Sequence, residues 1–243
     1  MIEKEEGEVI NEDKRKESID RTFYDQQKRI PISKWQCRQA DLYEDRIQVG
    51  EGTFGKVFRA KYKYFEKYND ALNSYEHVAL KQIRMDNEKE GFPITAVREI
   101  MILKQLHHKN IINLLEIITS KPTEKNKNRG NTYLVFEYME HDLNGLIDRK
   151  VSFEIPQIKC IMHQVLSGIQ YLHNNNIMHR DIKGANILLN NKGEVKIADF
   201  GLARIFNTNS GFRANYTNRV VTLWYRSPEL LLGNNNLHCI YNL

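Results

Sequence analysis

The sequence predicts an α+β fold in two successive parts, a small antiparallel sheet carrying one helix and then a mainly helical region. Two observations carry this. Between residues 43 and 139, short segments alternate apolar and polar residues, interrupted once by apolar residues at helical spacing. Beyond residue 140, one long segment repeats apolar residues at helical spacing.

The elements follow in order. Residues 1–41 are polar with little apolar periodicity, and read as a flexible tail with a short helix near Tyr24. "DRIQVG" and "GKVFRAKY" flank a glycine-rich turn and read as a hairpin. "HVALKQI" is a third strand. "ITAVREIMILKQL" spaces Ile94, Val97, Ile100, Met101 and Leu103 as an amphipathic helix does. "IINLLEII" and "TYLVFEYM" are further strands, separated by the polar loop "TSKPTEKNKNRGN". The long helix is "EIPQIKCIMHQVLSGIQYLHNN", and the short strand-like pieces "ILLN" and "VKIAD" follow it. The expected divisions are a tail over 1–41, a strand-rich lobe over 42–136, a hinge and helical lobe over 137–233, and a divergent tail over 234–243.

Composition narrows the function classes. The chain has 243 residues, enough for one large domain or two small lobes, with 41% hydrophobic and 28% charged residues. The net charge of +5 is spread over both signs, which fits a solvated surface and no direct nucleic-acid partner. Cys37, Cys160 and Cys239 are odd in number and far apart, without metal-ligand spacing, and read as free thiols in a reducing compartment. The charged N-terminus lacks the apolar core of a signal peptide, and no apolar run reaches the roughly 18–20 residues of a membrane span. "KRK" at 14–16 reads as part of a solvated tail.

"GEGTFGKV" sets Gly50, Gly52 and Gly55 in G-x-G-x-x-G order. Without Cβ atoms, such a loop lets backbone N–H groups approach phosphate closely. Taken alone, it is as well an ordinary glycine-rich hairpin. A dinucleotide loop needs a helix directly after it, whereas "KVFRAKY" alternates like a strand. Gly50 and Gly55-Lys56 match a P-loop, but Val57 stands where a hydroxyl must reach magnesium. A flap over ATP between two strands makes further demands along the chain, and each is met. "VALKQI" supplies a strand lysine, Lys81, and "AVREI" a helix glutamate, Glu99. "HRDIKGAN" supplies His179, Arg180, Asp181 and Asn186 at H-R-D-x-x-x-x-N spacing. "ADFGLA" supplies Asp199, Phe200 and Gly201, and "SPE" at 227–229 stands in the A-P-E place. Each motif alone has a bland reading as surface charge or chance; the order and spacing of all of them do not.

On these motifs, residues 43–233 resemble a eukaryotic protein kinase, which implies the bilobal kinase fold. "PITAVRE" (93–99) resembles the cyclin-binding helix of cyclin-dependent kinases. "DNEKEGFPITAVREI", "FEYMEHDL", "NYTNRVVTLWYR" and "PELLLG" resemble the transcription-elongation members, among them the catalytic subunit of positive transcription elongation factor b and its cyclin-K-binding relatives. That group phosphorylates the heptad-repeat tail of RNA polymerase II. The resemblance implies a nuclear, ATP- and Mg2+-dependent, proline-directed Ser/Thr kinase. Its implied partners are a transcriptional cyclin on the 93–99 helix, an activating kinase and substrates with Ser/Thr-Pro sites.

The resemblance also implies roles. Lys81 would hold the α/β-phosphates and pair with Glu99, and Asn186 and Asp199 would hold Mg2+. Asp181 would accept the substrate hydroxyl proton, with Lys183 steadying the γ-phosphate. Adenine would meet the Glu137 carbonyl and the Met139 N–H, between Val57, Ala79 and Leu188, with Phe136 behind and Val49, Gly50, Gly52 and Gly55 above. Simple core packing is the plain alternative for the apolar ones. Leu103, Leu114, His179 and Phe200 would stack as a spine. Thr217 matches an activating phosphothreonine, with Arg98, Arg180 and Arg204 as its guanidinium partners. Val221 matches the strained valine that favours proline in the substrate. Phe54 replaces an inhibitory tyrosine, leaving Thr53, and Ser227 replaces Pro or Ala before Pro-Glu.

The resemblance fades at Gly233, where "NNNLHCIYNL" replaces the expected Asp-x-Trp-x-x-Gly helix, and Glu229 loses its expected arginine partner. The helical lobe is therefore expected to be incomplete. Two functions follow as expectations, an active kinase in a fuller chain, or an inactive truncated fragment that only binds a cyclin.

Overall fold

The computed structural model describes residues 37–52, 55–63, 75–84, 92–123, 130–205, 223–226 and 228–231. Contacts divide the chain into Met1–Cys37 and Arg38–Leu243. The first unit, with the expected helix near Tyr24, lies outside the described residues apart from Cys37.

The second unit opens with a six-stranded sheet in the order β1-β5-β6-β4-β3-β2. Its strands are β1 (Arg38–Gln39), β2 (Tyr43–Gly52), β3 (Gly55–Tyr62), β4 (His77–Gln82), β5 (Leu114–Thr119) and β6 (Thr132–Glu137). β1 runs parallel to β5, and every other pairing is antiparallel. The glycine-rich turn joins β2 directly to β3, so a strand follows it. That geometry excludes both the dinucleotide loop and the P-loop, which each need a helix there.

The sheet works because successive side chains point to opposite faces. Val78, Leu80, Tyr133 and Val135 enter the outer core with Ala60, Tyr62 and Tyr43, while Leu134 and Phe136 enter the core shared with the second lobe. Residues 38–41, expected in the tail, belong to the folded lobe, with Arg38–Gln39 as β1 at the sheet's edge and Ala40–Leu42 as a single 3-10 turn. Ala40 is 2% exposed, Arg38 Nε donates to Glu116 at 2.7 Å, and the Arg38 guanidinium lies over the Tyr62 ring. Tyr43 adds a short hydroxyl bond to Glu116. A two-residue strand flanked by polar side chains has too little periodicity to show in sequence. Similarly, "IINLLEII" becomes a strand only from Leu114, because Ile111 and Ile112 are committed to the second lobe.

Helix α1 (Ile94–Leu103) packs in the inner core with Leu134 and Phe136 of β6 and with Phe200. It buries Ala96, Glu99, Ile102 and Leu103, whereas Ile94, Val97 and Met101 face outward. Thus three of the five residues that mark it as a helix in sequence are not on its buried face.

The second lobe contains β7 (His141–Asp142), α2 (Leu143–Asp148), α3 (Ile155–Asn174), β8 (Ile177–Met178), β9 (Ile187–Leu189), β10 (Val195–Ile197), β11 (Arg204–Ile205) and α4 (Pro228–Leu231). Asp142 caps α2 by accepting from the Gly145 N–H at 2.8 Å. Ile161, Val165, Gly168 and Leu172 form the buried stripe of α3. A Cβ at Gly168 would stand 2.9 Å from Ile197 Cδ1 and 3.0 Å from the Asn110 carbonyl oxygen, so α3 approaches the lobe junction closely. There, Ile112 N–H donates to the Ile197 carbonyl and Ile197 N–H to the Asn110 carbonyl, both at 2.9 Å.

Two ion pairs near the start of the folded unit should behave differently. Arg38→Ala removes a charged hydrogen bond sheltered among Tyr43, Tyr62 and Glu116, and should cost about 1–3 kcal/mol in urea unfolding. Lys121→Ala breaks a well-exposed pair with Asp41 and should cost under about 1 kcal/mol. Equal losses would contradict the packing of residues 38–42.

Candidate active site

A cleft of about 490 Å³ opens under the β2–β3 hairpin, within the size range of small-molecule sites. Val49, Gly50, Gly52, Gly55 and Val57 form its roof. Ala79 and Lys81 reach it because Val78 and Leu80, their neighbours on β4, face the outer core. Phe136, Glu137 and Met139 line the crossing between the lobes, and Leu188 lies on β9 below. All eleven residues expected around a nucleotide therefore line one cleft. Register explains part of the convergence, since Val57 pairs with Lys81 and Ala79 with Phe136.

The polar end of the cleft is built around Lys81. Its Nζ donates to Glu99 Oε1 at 2.7 Å and to Asp199 Oδ1 at 2.9 Å. Burial opposes the Lys81 charge, but the two carboxylates outweigh it and raise its pKa. Glu99, whose side chain is 5% exposed, is pushed up by burial more than Lys81 pulls it down. Asp199 keeps 28% exposure. Burial pushes it up as well, but Lys81 and a hydrogen bond from the Gly201 backbone carry its pKa below the ordinary value.

Asp181 is buried and accepts from Lys183 Nζ at 2.8 Å. Asn186 Nδ2 donates to the Asp181 carbonyl at 2.8 Å and to Asp181 Oδ2 at 3.0 Å. With its nitrogen so used, Asn186 keeps its amide oxygen as a ligand, beside the Asp199 carboxylate in the same cleft. Two hard oxygen donors suit Mg2+, which takes its remaining ligands from water and phosphate. Among the described residues, no group of three or more His, Cys, Asp or Glu side chains encloses a metal by itself.

His179 ties these parts together. It is buried, and its Nε2 faces the Ala198 carbonyl at 2.9 Å while its Nδ1 faces the Asp181 N–H at 3.3 Å. A carbonyl requires a donor and an N–H an acceptor, so these partners select the neutral Nε2–H tautomer. Burial holds the His179 pKa below its ordinary value, more strongly than Ala198 and the nearby aspartates raise it. Phe200 meets its ring edge-on, at 4.8 Å between centroids, and packs in one core with Leu103 and Leu114.

Of the remaining expected residues, Thr217, Val221, Thr53, Phe54 and Ser227 lie outside the described residues, as does the side chain of Glu229. Arg98, Arg180 and Arg204 lie on segments that meet around the turn Phe200–Leu202. α1 packs on that turn, Arg180 Nε donates to the Leu202 carbonyl at 2.8 Å, and β11 pairs Arg204 with Met178. The sequence reading missed Ile112 and Ala198 in the cleft wall. It also missed the buried Glu137 carboxylate, held by Lys196 Nζ and the Asn113 N–H, each at 2.8 Å. The available signal was a lone lysine between Val195 and Ile197, which marks the face of β10 turned away from the core.

Residues 43–239 match the model of the protein kinase domain. The chain is 55% identical over 209 residues to cyclin-dependent kinase C-2 of Oryza sativa subsp. japonica, covering 82% of this chain and 39% of that one. It is 49% identical over 199 residues to cyclin-dependent kinase 9 of Bos taurus, covering 81% of this chain and 51% of the relative. It thus spans about half or less of the length of these curated relatives. Among solved structures, it is similar to the yeast RNA Pol II CTD kinase CTDK-1 complex, with a TM-score of 0.64 and 45% identity over 83% of this chain and 58% of that one.

The enclosed His179 has a consequence for acid stability. Its folded-state pKa lies below the 6.5 of an unconstrained imidazole, so the unfolded chain binds the extra proton first. Its contribution is complete above pH 6.5 and is lost as pH falls through the lowered value. Melting temperatures from pH 7.5 to 5 should therefore fall more steeply for the unmutated protein than for His179→Gln. Parallel curves would contradict a neutral, buried His179.

Proposed function

Because the chain belongs to the protein kinase family, we propose that it is an ATP-dependent, proline-directed Ser/Thr kinase of the cyclin-dependent type, acting in transcription elongation. The observation that carries the reading is the bonding of Lys81 to both Glu99 and Asp199, beside Asp181, Lys183 and Asn186. Phosphoryl transfer needs positioning and charge neutralisation more than covalent help, and this cluster offers both. Lys81 holds the α- and β-phosphates, while Val57, Ala79 and Leu188 enclose adenine. Asp181 orients the substrate hydroxyl and takes its proton as the hydroxyl oxygen bonds to the γ-phosphorus and ADP departs. Lys183 steadies the γ-phosphate. Asn186 and Asp199 would hold Mg2+, which would supply neutralisation of phosphate charge.

The subtype rests on likeness. One similar structure is described as an RNA Pol II CTD kinase complex, which supports the polymerase tail as substrate and the nucleus as the place of action. The outward Ile94, Val97 and Met101 on α1 support a cyclin docked over residues 93–99. Phosphorylation of Thr217 by an activating kinase would add roughly two negative charges for Arg98, Arg180 and Arg204 to share.

The test is phosphorylation of a Ser-Pro heptad peptide by the chain with a transcriptional cyclin. Asp181→Asn should lower turnover by about 10²–10⁴-fold and leave ATP affinity nearly intact. Cyclin binding without Asp181-dependent turnover would favour a binding-only protein instead. Thr217→Ala and Arg98→Ala should each weaken activity, and together by less than the product of the two losses, because they serve one phosphate. Independent losses would speak against that shared site.

A further inference from the structure

Arg84 has no part in the chemistry above, yet it braces the roof of the cleft. Gly55 opens β3 at φ +140°, and a Cβ there would stand 1.9 Å from the Gln82 carbonyl oxygen. The hairpin thus lies against the end of β4 with no room for a side chain. Arg84 runs past the same point, with its Cγ 3.8 Å from that Cβ position. Its Nη2 then reaches Glu51 Oε1 at 2.8 Å. Glu51 sits between Gly50 and Gly52, both in the roof, and its second oxygen accepts from Gln48 Nε2 at 3.4 Å. The β2–β3 register slips between Gln48 and Gly50, so the brace grips the hairpin just beyond its irregular point.

We propose that Arg84 is a positioning residue, which through Glu51 holds the glycine-rich hairpin down over the nucleotide. The inference rests on the ATP-binding reading above and deepens it. Both side chains are about half exposed, 47% and 46%, so the pair is weak and salt-sensitive.

A strut and a simple charge effect predict opposite signs. If Arg84 only shields a triphosphate from the Glu51 carboxylate, removing that carboxylate improves nucleotide binding. If the pair is a strut, removing either partner weakens binding, and removing both does no further harm.

The experiment measures ATP affinity in the presence of Mg2+ by calorimetry on the full chain, and the KM for ATP with the heptad peptide. Glu51→Gln and Arg84→Gln should each weaken ATP binding by about two- to five-fold. The loss should appear in the KM for ATP rather than in kcat. The double variant should match either single one, and the exchanged pair Glu51→Arg with Arg84→Glu should recover part of the loss. Tighter binding by Glu51→Gln, or multiplicative losses in the double variant, would overturn the strut while leaving the kinase reading standing. If the unmutated chain binds no ATP, the kinase reading falls and the strut with it.

Discussion

One ammonium group, that of Lys81, is shared between two carboxylates that arrive from different parts of the chain. Glu99 lies 18 residues away on α1, and Asp199 lies 118 residues away beyond β10. Burying such charges costs free energy unless each is paired, so the sheet, the helix and the second lobe must all be in place before the arrangement is tolerable. The count is also unbalanced, with one positive charge against two negative ones. The excess sits on Asp199, the more exposed carboxylate and the one whose pKa is lowered. A site left one charge short is a site for a cation, and this imbalance makes the Asp199–Asn186 corner chemically suited to one.

The floor of the cleft is held by bonds between two loops. His179 reaches the Ala198 carbonyl, the Ala198 N–H reaches the Asn186 carbonyl, and Arg180 reaches the Leu202 carbonyl. Arg180 and Asp199 both have left-handed backbones, at φ 66° and 64°, a conformation that costs a non-glycine residue about 1–2 kcal/mol. The surrounding bonds hold both residues in it. In that conformation Asp199 Oδ1 meets Lys81 Nζ at 2.9 Å. The two loops consequently behave as one piece, and a change in either is felt by the other.

The sequence made most of the cleft legible, for a physical reason. Glycines at fixed offsets, an alternating strand that sends Lys81 inward, and polar clusters such as "HRDIKGAN" are local signals, each readable within a few residues. Long-range consequences were not readable in the same way. The commitment of Ile111 and Ile112 to the second lobe depends on β10, more than eighty residues later. The burial of Glu137 depends on Lys196, and the place of Arg38 in the sheet depends on Glu116. The buried face of α1 was hidden because the helix is apolar on two sides. The core shared by the sheet and the Phe200–Leu202 turn, together with Lys81, decides that Ala96 and Glu99 turn inward rather than Ile94 and Val97.

The attachment of residues 110–112 to β10 also gives α1 a mechanical character. Its C-terminal end leads, within a few residues, into backbone bonded to the second lobe, while its first turn has no such tether among the described residues. The helix is then a lever with its fulcrum near Leu103. At about 1.5 Å per residue, Ile94 lies some 13 Å from that pivot and Glu99 about 6 Å. A swing that carries the far end by about 3 Å carries Glu99 by a little over 1 Å, in the ratio of those arms. Added to the 2.7 Å contact, that small motion takes the Lys81–Glu99 bond beyond hydrogen-bonding range. A push on the outer end of the lever is thus geared down into a make-or-break movement at the ammonium.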